Sequence, residues 1–412
     1  MKPRAELLCV GTELLSGKVN THAAWLCPKL RLAGLEPARE VTVGDSLEDL
    51  RDAVREAAGR ASVVIVCGGL GPTFDDLTRE AVAAAFGLGL SYSEPLFELI
   101  CKRFARYKLA VPSANKRQAW VIDGAKVLPN PNGSAPGQLL EIHGKHVALL
   151  PGPYREMAPM FLEHVLPLLR EKFGGGLQRA SRVFRFYGIS EAAADMKLTP
   201  MLKSEAGKAD FTILAGSGQV ELHAAVAGSS AAVKTGLTRV EGKIKKVLDK
   251  HLYGFDGDTL ESVVGDRLRR KKWTLAAAES CTGGLLGARI TAIAGSSDYF
   301  RGGVVAYSNE IKKSALGVPD EILKKHGAVS AECARAMAVG VRERFGADVG
   351  VSITGIAGPG GGSKEKPVGL VCIGFALPGK TFTTTNHFSG ERALVRERSV
   401  NAALGALLTA LR

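Results

Sequence analysis

The sequence predicts an α/β protein of two or three domains, and three observations carry that reading. Short apolar runs alternate with amphipathic helical stretches, and several runs end in glycine-rich turns, the pattern of a parallel sheet covered by helices. The chain has 412 residues, enough for more than one hydrophobic core. Aromatic residues make up 6% of it while glycine occurs 49 times, which leans towards α/β architecture with tight turns.

The first third sets the pattern. Glu6 to Val10 reads as a buried strand that runs into Gly11-Thr12-Glu13-Leu14-Leu15. Thr21 to Ala33 has helical spacing, with Pro28 expected to kink the helix or start it late. Leu47 to Arg60 is an amphipathic helix, and Ser62 to Cys67 is a continuous apolar strand ending in Gly68-Gly69-Leu70-Gly71-Pro72-Thr73. A helix from about Leu77 to Phe86 follows, and later a strand, Val147 to Leu150, stopped by Pro151-Gly152-Pro153.

The pattern breaks at Lys172-Phe173-Gly174-Gly175-Gly176, which reads as a linker. Residues 179 to 252 read as a small α+β unit: strands Val183 to Tyr187 and Gln219 to Ala225, then a long helix Ala231 to Leu252. A second linker is expected at Tyr253-Gly254-Phe255-Asp256-Gly257-Asp258. The last domain carries a basic helix from Thr259, a strand from Trp273, and a strand Val304 to Tyr307. It continues with a helix Ala331 to Phe345, a strand Val349 to Thr354, a glycine loop, a hairpin and a terminal helix.

Hydrophobic content of 46% and charged content of 23% describe an ordinary soluble protein. The 54 basic residues exceed the 41 acidic ones by 13. That balance suits nucleic acid or anionic metabolites and does not choose between them. Seven cysteines, an odd count with no CxxC pair, sit mostly in apolar surroundings, as expected in a reducing cytoplasm. The N-terminus, Met1-Lys2-Pro3-Arg4-Ala5-Glu6, has no long apolar core and no stretch is expected to span a bilayer, so a cytoplasmic location is expected.

The most informative run is Ala278-Glu279-Ser280-Cys281-Thr282-Gly283-Gly284, which puts Ser280 at a strand-to-helix turn. Acyl transfer to serine needs an exposed hydroxyl, a base and oxyanion donors. Ser280 supplies the hydroxyl, and the backbone N–H groups of Thr282, Gly283 and Gly284 are candidate donors. Lys312, if desolvated enough to be neutral, is the candidate base, acting directly or through Tyr307. The residue types fit equally well a helix-capping serine, a core phenol and a surface lysine, and Cys281 competes as nucleophile.

A second glycine loop, Gly355-Ile356-Ala357-Gly358-Pro359-Gly360-Gly361-Gly362, follows a strand, where α/β sheets bind ligands. Gly355 and Gly358 would allow close approach to ribose or phosphate. Lys364-Glu365-Lys366 beside them looks solvated, so a flexible surface loop is the alternative. Arg392 and Arg396, one helical turn apart, are candidate phosphate partners or a solvated helix face. In the first domain the loop from Gly68 to Thr78 carries Asp75 and Asp76, with Asp45 after Val43-Gly44. The three aspartates are candidate ligands of a divalent cation, and helix capping is the plain reading of Asp75 or Asp76.

At these motifs the chain resembles the CinA family of competence/damage-inducible proteins over essentially its full length. The N-terminal third does so through Val10 to Leu15, Gly68 to Thr78, Asn130 to Gly137 and Leu150 to Pro153. The C-terminal third does so through Ala278 to Gly284, Tyr307 to Lys312 and Gly355 to Gly362. The resemblance implies an α/β protein of three parts. These are an N-terminal molybdopterin-binding-like three-layer domain (residues 1–172), a small α+β KH-type middle domain (177–252) and a C-terminal α/β/α amidase domain (259–412). The middle unit shows no GxxG loop, so no RNA binding is inferred from it.

On that resemblance the C-terminal domain converts nicotinamide mononucleotide to nicotinic acid mononucleotide and ammonia in pyridine nucleotide salvage, without a cofactor. Ser280 attacks the carboxamide, Tyr307 and Lys312 assist proton transfer, and Thr282, Gly283, Gly284, Gly355, Gly358 and Arg392 hold the oxyanion and substrate. The N-terminal domain is then associated with ADP-ribose pyrophosphate cleavage. Its implied nucleotide-binding residues are Gly11, Thr12, Glu13, Gly69, Gly71, Thr73 and Ser134. Asp45, Asp75 and Asp76 would hold a divalent cation (Mg, Mn or Co), with K+ as a further implied ion. The family suggests a homodimer acting on small-molecule nucleotides, with no membrane partner. A nucleic-acid-binding role in DNA uptake ranks last, because the basic residues are dispersed and lack aromatic interleaving.

Overall fold

The computed structural model describes residues 3–175, 178–216 and 218–412. They fall into two compact units, Met1–Ala180 with Ala227–Val233, and Ser181–Val226 with Lys234–Arg412.

The first unit begins β1 (Arg4–Val10), α1 (Thr12–Leu15), α2 (His22–Leu32), β2 (Glu36–Val43), α3 (Leu47–Arg60) and β3 (Val63–Cys67). It continues α4 (Thr78–Phe86), β4 (Leu90–Tyr92), α5 (Glu94–Arg106), β5 (Trp120–Ile122), β6 (Lys126–Leu128), β7 (Gly137–Ile142), β8 (Lys145–Leu150), α6 (Tyr154–Met160) and α7 (Leu166–Phe173). Its main sheet has the order β2-β1-β3-β8-β7-β6. The β1–β2, β1–β3 and β3–β8 pairs are parallel and the β7 pairs antiparallel. Val63 to Cys67 is buried at every position, as a strand covered on both faces requires. One face packs Leu26, Leu30, Phe161 and Leu169 against the sheet and the other packs Leu50, Val54, Ala81 and Val82, giving three layers. Ser46 caps α3 by accepting the Asp49 N–H at 3.4 Å, and Glu48 and Asp49 complement the helix start. Pro28 lies inside α2 and does not end it.

The middle part follows as β9 (Gln178–Tyr187), α8 (Glu191–Ser204), β10 (Asp210–Gly216), β11 (Gln219–Gly228), α9 (Ser230–Leu248) and β12 (Leu252–Phe255). Its sheet order is β10-β11-β9-β12, and α8 and α9 supply Leu198, Val240 and Ile244 to one core with Phe184 and Phe186.

The C-terminal part runs α10 (Leu260–Lys271), β13 (Leu275–Glu279), α11 (Leu285–Thr291), β14 (Phe300–Val305), α12 (Asn309–Leu316), α13 (Asp320–His326) and α14 (Ala331–Arg344). It ends β15 (Val349–Gly355), β16 (Leu370–Leu377), β17 (Lys380–His387) and α15 (Arg392–Ala410). Its sheet has the order β14-β13-β15-β16-β17. β13 is parallel to both neighbours, and β15, β16 and β17 are antiparallel. Helices α10, α11 and α15 pack Leu268, Ile290 and Leu404 on one face, and α12 and α14 pack Leu316, Met337 and Val341 on the other. Because β14 and β15 leave β13 on opposite sides, the carboxyl end of β13 is a topological switch point, where open α/β sheets place ligands. Ser280 stands there.

The two expected linkers each begin later in the structure, at Gly174 and at Asp256. Lys172 and Phe173 close α7, where Leu166 and Leu169 supply the buried face. Gly176 lies outside the described residues, as do Leu177, Met1 and Lys2. Tyr253 to Phe255 is a strand, with Leu252 opposite Phe186 and Phe255 opposite Phe184. Tyr253 is 6% exposed and packs in the C-terminal core, its hydroxyl donating to Gln219 Oε1 at 2.6 Å. Helix α9 accordingly stops at Leu248, four residues before the expected end. Among the described residues no helix is long and apolar enough to cross a membrane.

Candidate functional site

β13 carries Ala276, Ala277 and Ala278, small enough to fit between layers on both sides, and delivers Ser280 to its end. The turn Cys281 to Gly284 is possible because Gly283 (φ +59) and Gly284 (φ +95) adopt left-handed backbone. The Ser280 N–H donates to the Ile353 carbonyl of β15 at 2.9 Å, which fixes the nucleophile's backbone to the neighbouring strand.

Lys312 reaches the same point from α12. Ser308 caps that helix by accepting the Ile311 N–H at 3.3 Å. Lys312 and Leu316, one turn apart, form its buried face. The lysine is 1% exposed. Its Nζ donates to Ser280 Oγ at 3.1 Å, to the Ala306 carbonyl at 2.8 Å and, at a long 3.5 Å, to the Tyr307 carbonyl. All three acceptors are uncharged. Burial therefore pushes its pKa down from the ordinary 10.5, while the nearby Cys333, Cys281 and Glu310 oppose the shift weakly. A buried amine inclined to be neutral, in contact with a serine hydroxyl, is a base in position.

The Tyr307 side chain has a different partner. Its ring is 61% exposed, and its hydroxyl accepts from Arg392 Nη2 at 3.0 Å. Arg392 Nη1 also donates to the carbonyl of the buried Gly358 at 2.8 Å, so the exposed phenol and guanidinium adjoin the glycine loop. The amine meets Ser280 directly, while the phenol's hydrogen bond is the one to Arg392. Gly358 (φ +82) packs so closely on Val368 that a Cβ would lie 2.7 Å from it, and at Gly355 a Cβ would meet Val371. Lys366, expected to be solvated, donates from Nζ to the His326 carbonyl at 2.5 Å and anchors the loop's far end.

Three further expectations are corrected. Gly283 N–H donates to the Ser280 carbonyl at 3.1 Å and Gly284 N–H to Glu279 Oε2 at 3.1 Å, so neither is free to receive an oxyanion. Arg396 is no free phosphate partner, because its Nη2 and Nε hold the Thr282 carbonyl at 2.7 and 3.3 Å. Cys281 is buried, and desolvation pushes its thiol up to about 11, which makes it a poor nucleophile at neutral pH.

A second concavity of about 410 Å³ opens in the first unit at the carboxyl ends of β1, β3 and β8. Gly11, Glu13, Gly69, Gly71, Thr73 and Ser134 line it. Thr12 is exposed and meets the lining through Asp45, to which its N–H and hydroxyl donate at 2.8 and 2.7 Å. Asp76 accepts the N–H groups of Gly71 and Thr73, both at 2.8 Å, and the Thr73 hydroxyl. Two of the three expected metal ligands are thus loop clasps. Asp45, Asp75 and Asp76 line the same concavity, and among the described residues no three His, Cys, Asp or Glu side chains are grouped to hold a metal. Sequence reasoning missed Glu156, 9% exposed on the same wall and accepting from Asn130 Nδ2 at 2.8 Å. It also missed Arg79, buried behind the loop and donating to the Leu70 and Gly71 carbonyls at 2.9 and 3.2 Å. The repeated glycines marked the loop, but nothing local marked either partner.

Three family models match the chain. They are the CinA C-terminal domain over residues 257–411, the Probable molybdopterin binding domain over 6–171, and the Damage-inducible protein CinA KH domain over 181–254. A competence-damage inducible protein of Moorella thermoacetica is 45% identical over 412 residues, covering 99% of each chain. A CinA-like protein of Nostoc punctiforme is 42% identical over 409 residues, covering 98% of each. The crystal structure of the competence/damage inducible protein CihA from Agrobacterium tumefaciens is 40% identical, with a TM-score of 0.36, and covers 37% of this chain and 93% of its own.

Proposed function

This chain belongs to the CinA family, and from that premise we propose that its C-terminal domain is a serine amidohydrolase. The substrate we assign is nicotinamide mononucleotide, hydrolysed to nicotinic acid mononucleotide and ammonia. The observation that carries the reading is the 3.1 Å contact between Lys312 Nζ and Ser280 Oγ in a buried setting where no carboxylate pairs with the amine.

In this mechanism neutral Lys312 takes the Ser280 proton as Oγ bonds to the carboxamide carbon. The ammonium formed returns that proton to the amide nitrogen as the C–N bond breaks, and ammonia leaves. Water then attacks the ester, giving its proton to Lys312, and the carboxylate departs as Ser280 is reprotonated. Arg392, exposed beside Tyr307 and the Gly358 loop, is the group we assign to the anionic end of the substrate. The test is ammonia release by the full chain and by Ser280→Ala. A wild-type chain that is folded and releases none would defeat the reading.

A second activity, cleavage of a nucleotide pyrophosphate such as ADP-ribose, is assigned to the N-terminal concavity, on the observation that glycine loops line it at the strand ends. No step is routed through a cation. The check is phosphate-ester product formation from ADP-ribose, lost on Asp76→Ala.

A further inference from the structure

Glu279 precedes the nucleophile and belongs to none of the roles assigned above. Its carboxylate is 3% exposed. Oε2 accepts the N–H groups of Gly284 and Leu286 at 3.1 and 3.0 Å, and Oε1 accepts that of Gly287 at 2.8 Å. The start of α11 is thereby filled by an anion from the chain itself, matched to the helix dipole. The neighbouring amides are also engaged: Ser280 with the Ile353 carbonyl, Gly283 with the Ser280 carbonyl and Leu285 with the Thr282 carbonyl. Among the described residues, the N–H groups of Cys281 and Thr282 are the two from Ser280 to Gly287 that meet neither a backbone carbonyl nor a carboxylate, that of Cys281 lying against its own thiol. The Thr282 hydroxyl is likewise buried without a partner, and Arg396 holds the carbonyl of the same residue.

We propose that Glu279 is a positioning residue of the amidase. By collecting the amides of the first turn of α11, it presents the N–H groups of Cys281 and Thr282 as the pair that receives the oxyanion. The inference rests on the serine mechanism proposed above. An amide immediately after a nucleophile at a strand–turn–helix junction is well placed for the oxygen of a tetrahedral adduct. Arg396 braces the turn from the opposite side.

The experiment compares ammonia release from nicotinamide mononucleotide by the full-length wild type, Glu279→Gln and Arg396→Met, with kcat and KM separated and melting temperature measured on each. Loss of one oxyanion donor lowers kcat by about 100- to 1,000-fold, so loosened donors should cost about 10- to 100-fold, with KM within about threefold. Glu279→Gln keeps one acceptor oxygen and should retain more kcat than Glu279→Ala. Unchanged kcat in Glu279→Gln overturns the assignment. So does a loss of activity in both variants that merely tracks the fraction folded, which makes the two groups structural supports only. A folded wild type that releases no ammonia removes the serine reading itself and this inference with it, a result distinct from an active wild type beside an active Glu279→Gln.

Discussion

Lys312 Nζ lies 3.1 Å from Ser280 Oγ although 32 positions separate the two residues. The amine is held by uncharged acceptors on every side. A lysine buried without a counter-ion is costly, and such a cost is commonly kept where chemistry uses it.

Replacing Lys312 separates function from stability. Lys312→Met should lower ammonia release by at least about 100-fold, the scale of general-base catalysis, yet melt no lower than the wild type, because it removes an amine that is costly to bury without a counter-ion. Lys312→Arg should be equally inactive, since a guanidinium does not deprotonate. Initial rates and thermal melts on the same samples check both.

The pH dependence follows from the direction of the Lys312 shift. Its folded pKa lies below the ordinary 10.5, so as pH rises the native protein sheds this proton before the unfolded chain does. Between the two values the unfolded chain binds more protons, and stability rises with pH. As pH falls through the folded value, that contribution is lost. The kcat/KM profile should show one ascending limb with a midpoint below 10.5, lost in Lys312→Met.

Tyr307 is expected to act on binding. Its hydroxyl meets Arg392, and neither Ser280 nor Lys312 is its partner. Tyr307→Phe should therefore change kcat by less than about tenfold, and Arg392→Met should mainly raise KM. A collapse of kcat in Tyr307→Phe with KM unchanged would return the phenol to the proton path.

Thiol chemistry should leave the amidase alone. With Cys281 buried and held near 11, iodoacetamide at neutral pH should neither modify it in the folded chain nor inhibit ammonia release. Peptide mapping after alkylation reads both at once.

In the first unit, Asp76→Ala removes the acceptor of three donors in the Gly71 to Thr73 loop. A destabilisation of about 1.5–3 kcal/mol is expected, the range for hydrogen bonds to a charged group, together with loss of ADP-ribose cleavage. Denaturant unfolding and product analysis check the two effects separately.

Much of this was readable one residue at a time. Val63 to Cys67 announced a central strand because every position is apolar, and Ser280 announced a turn because a strand ran into small residues and two glycines. The linker reading of Tyr253 to Phe255 failed for a physical reason. A short strand of Tyr, Gly and Phe carries too little pattern to show that it completes a sheet and fills a second core. Lys312 was recognisable as an amine near a phenol, but its one-per-cent exposure came from Leu316 turning that helix face inward.

What the sequence by itself determined are the properties carried by local pattern: the α/β class, the order of strands and helices, the glycine turns and the family. Tertiary structure alone decided which partners each polar group found. It gave Ser280 the Lys312 amine, Tyr307 the Arg392 guanidinium, the Glu279 carboxylate the first turn of α11, and Asp45 and Asp76 their own loops. Hydrogen bonds and burial are settled by distances across the fold between residues tens of positions apart, and no local periodicity encodes them.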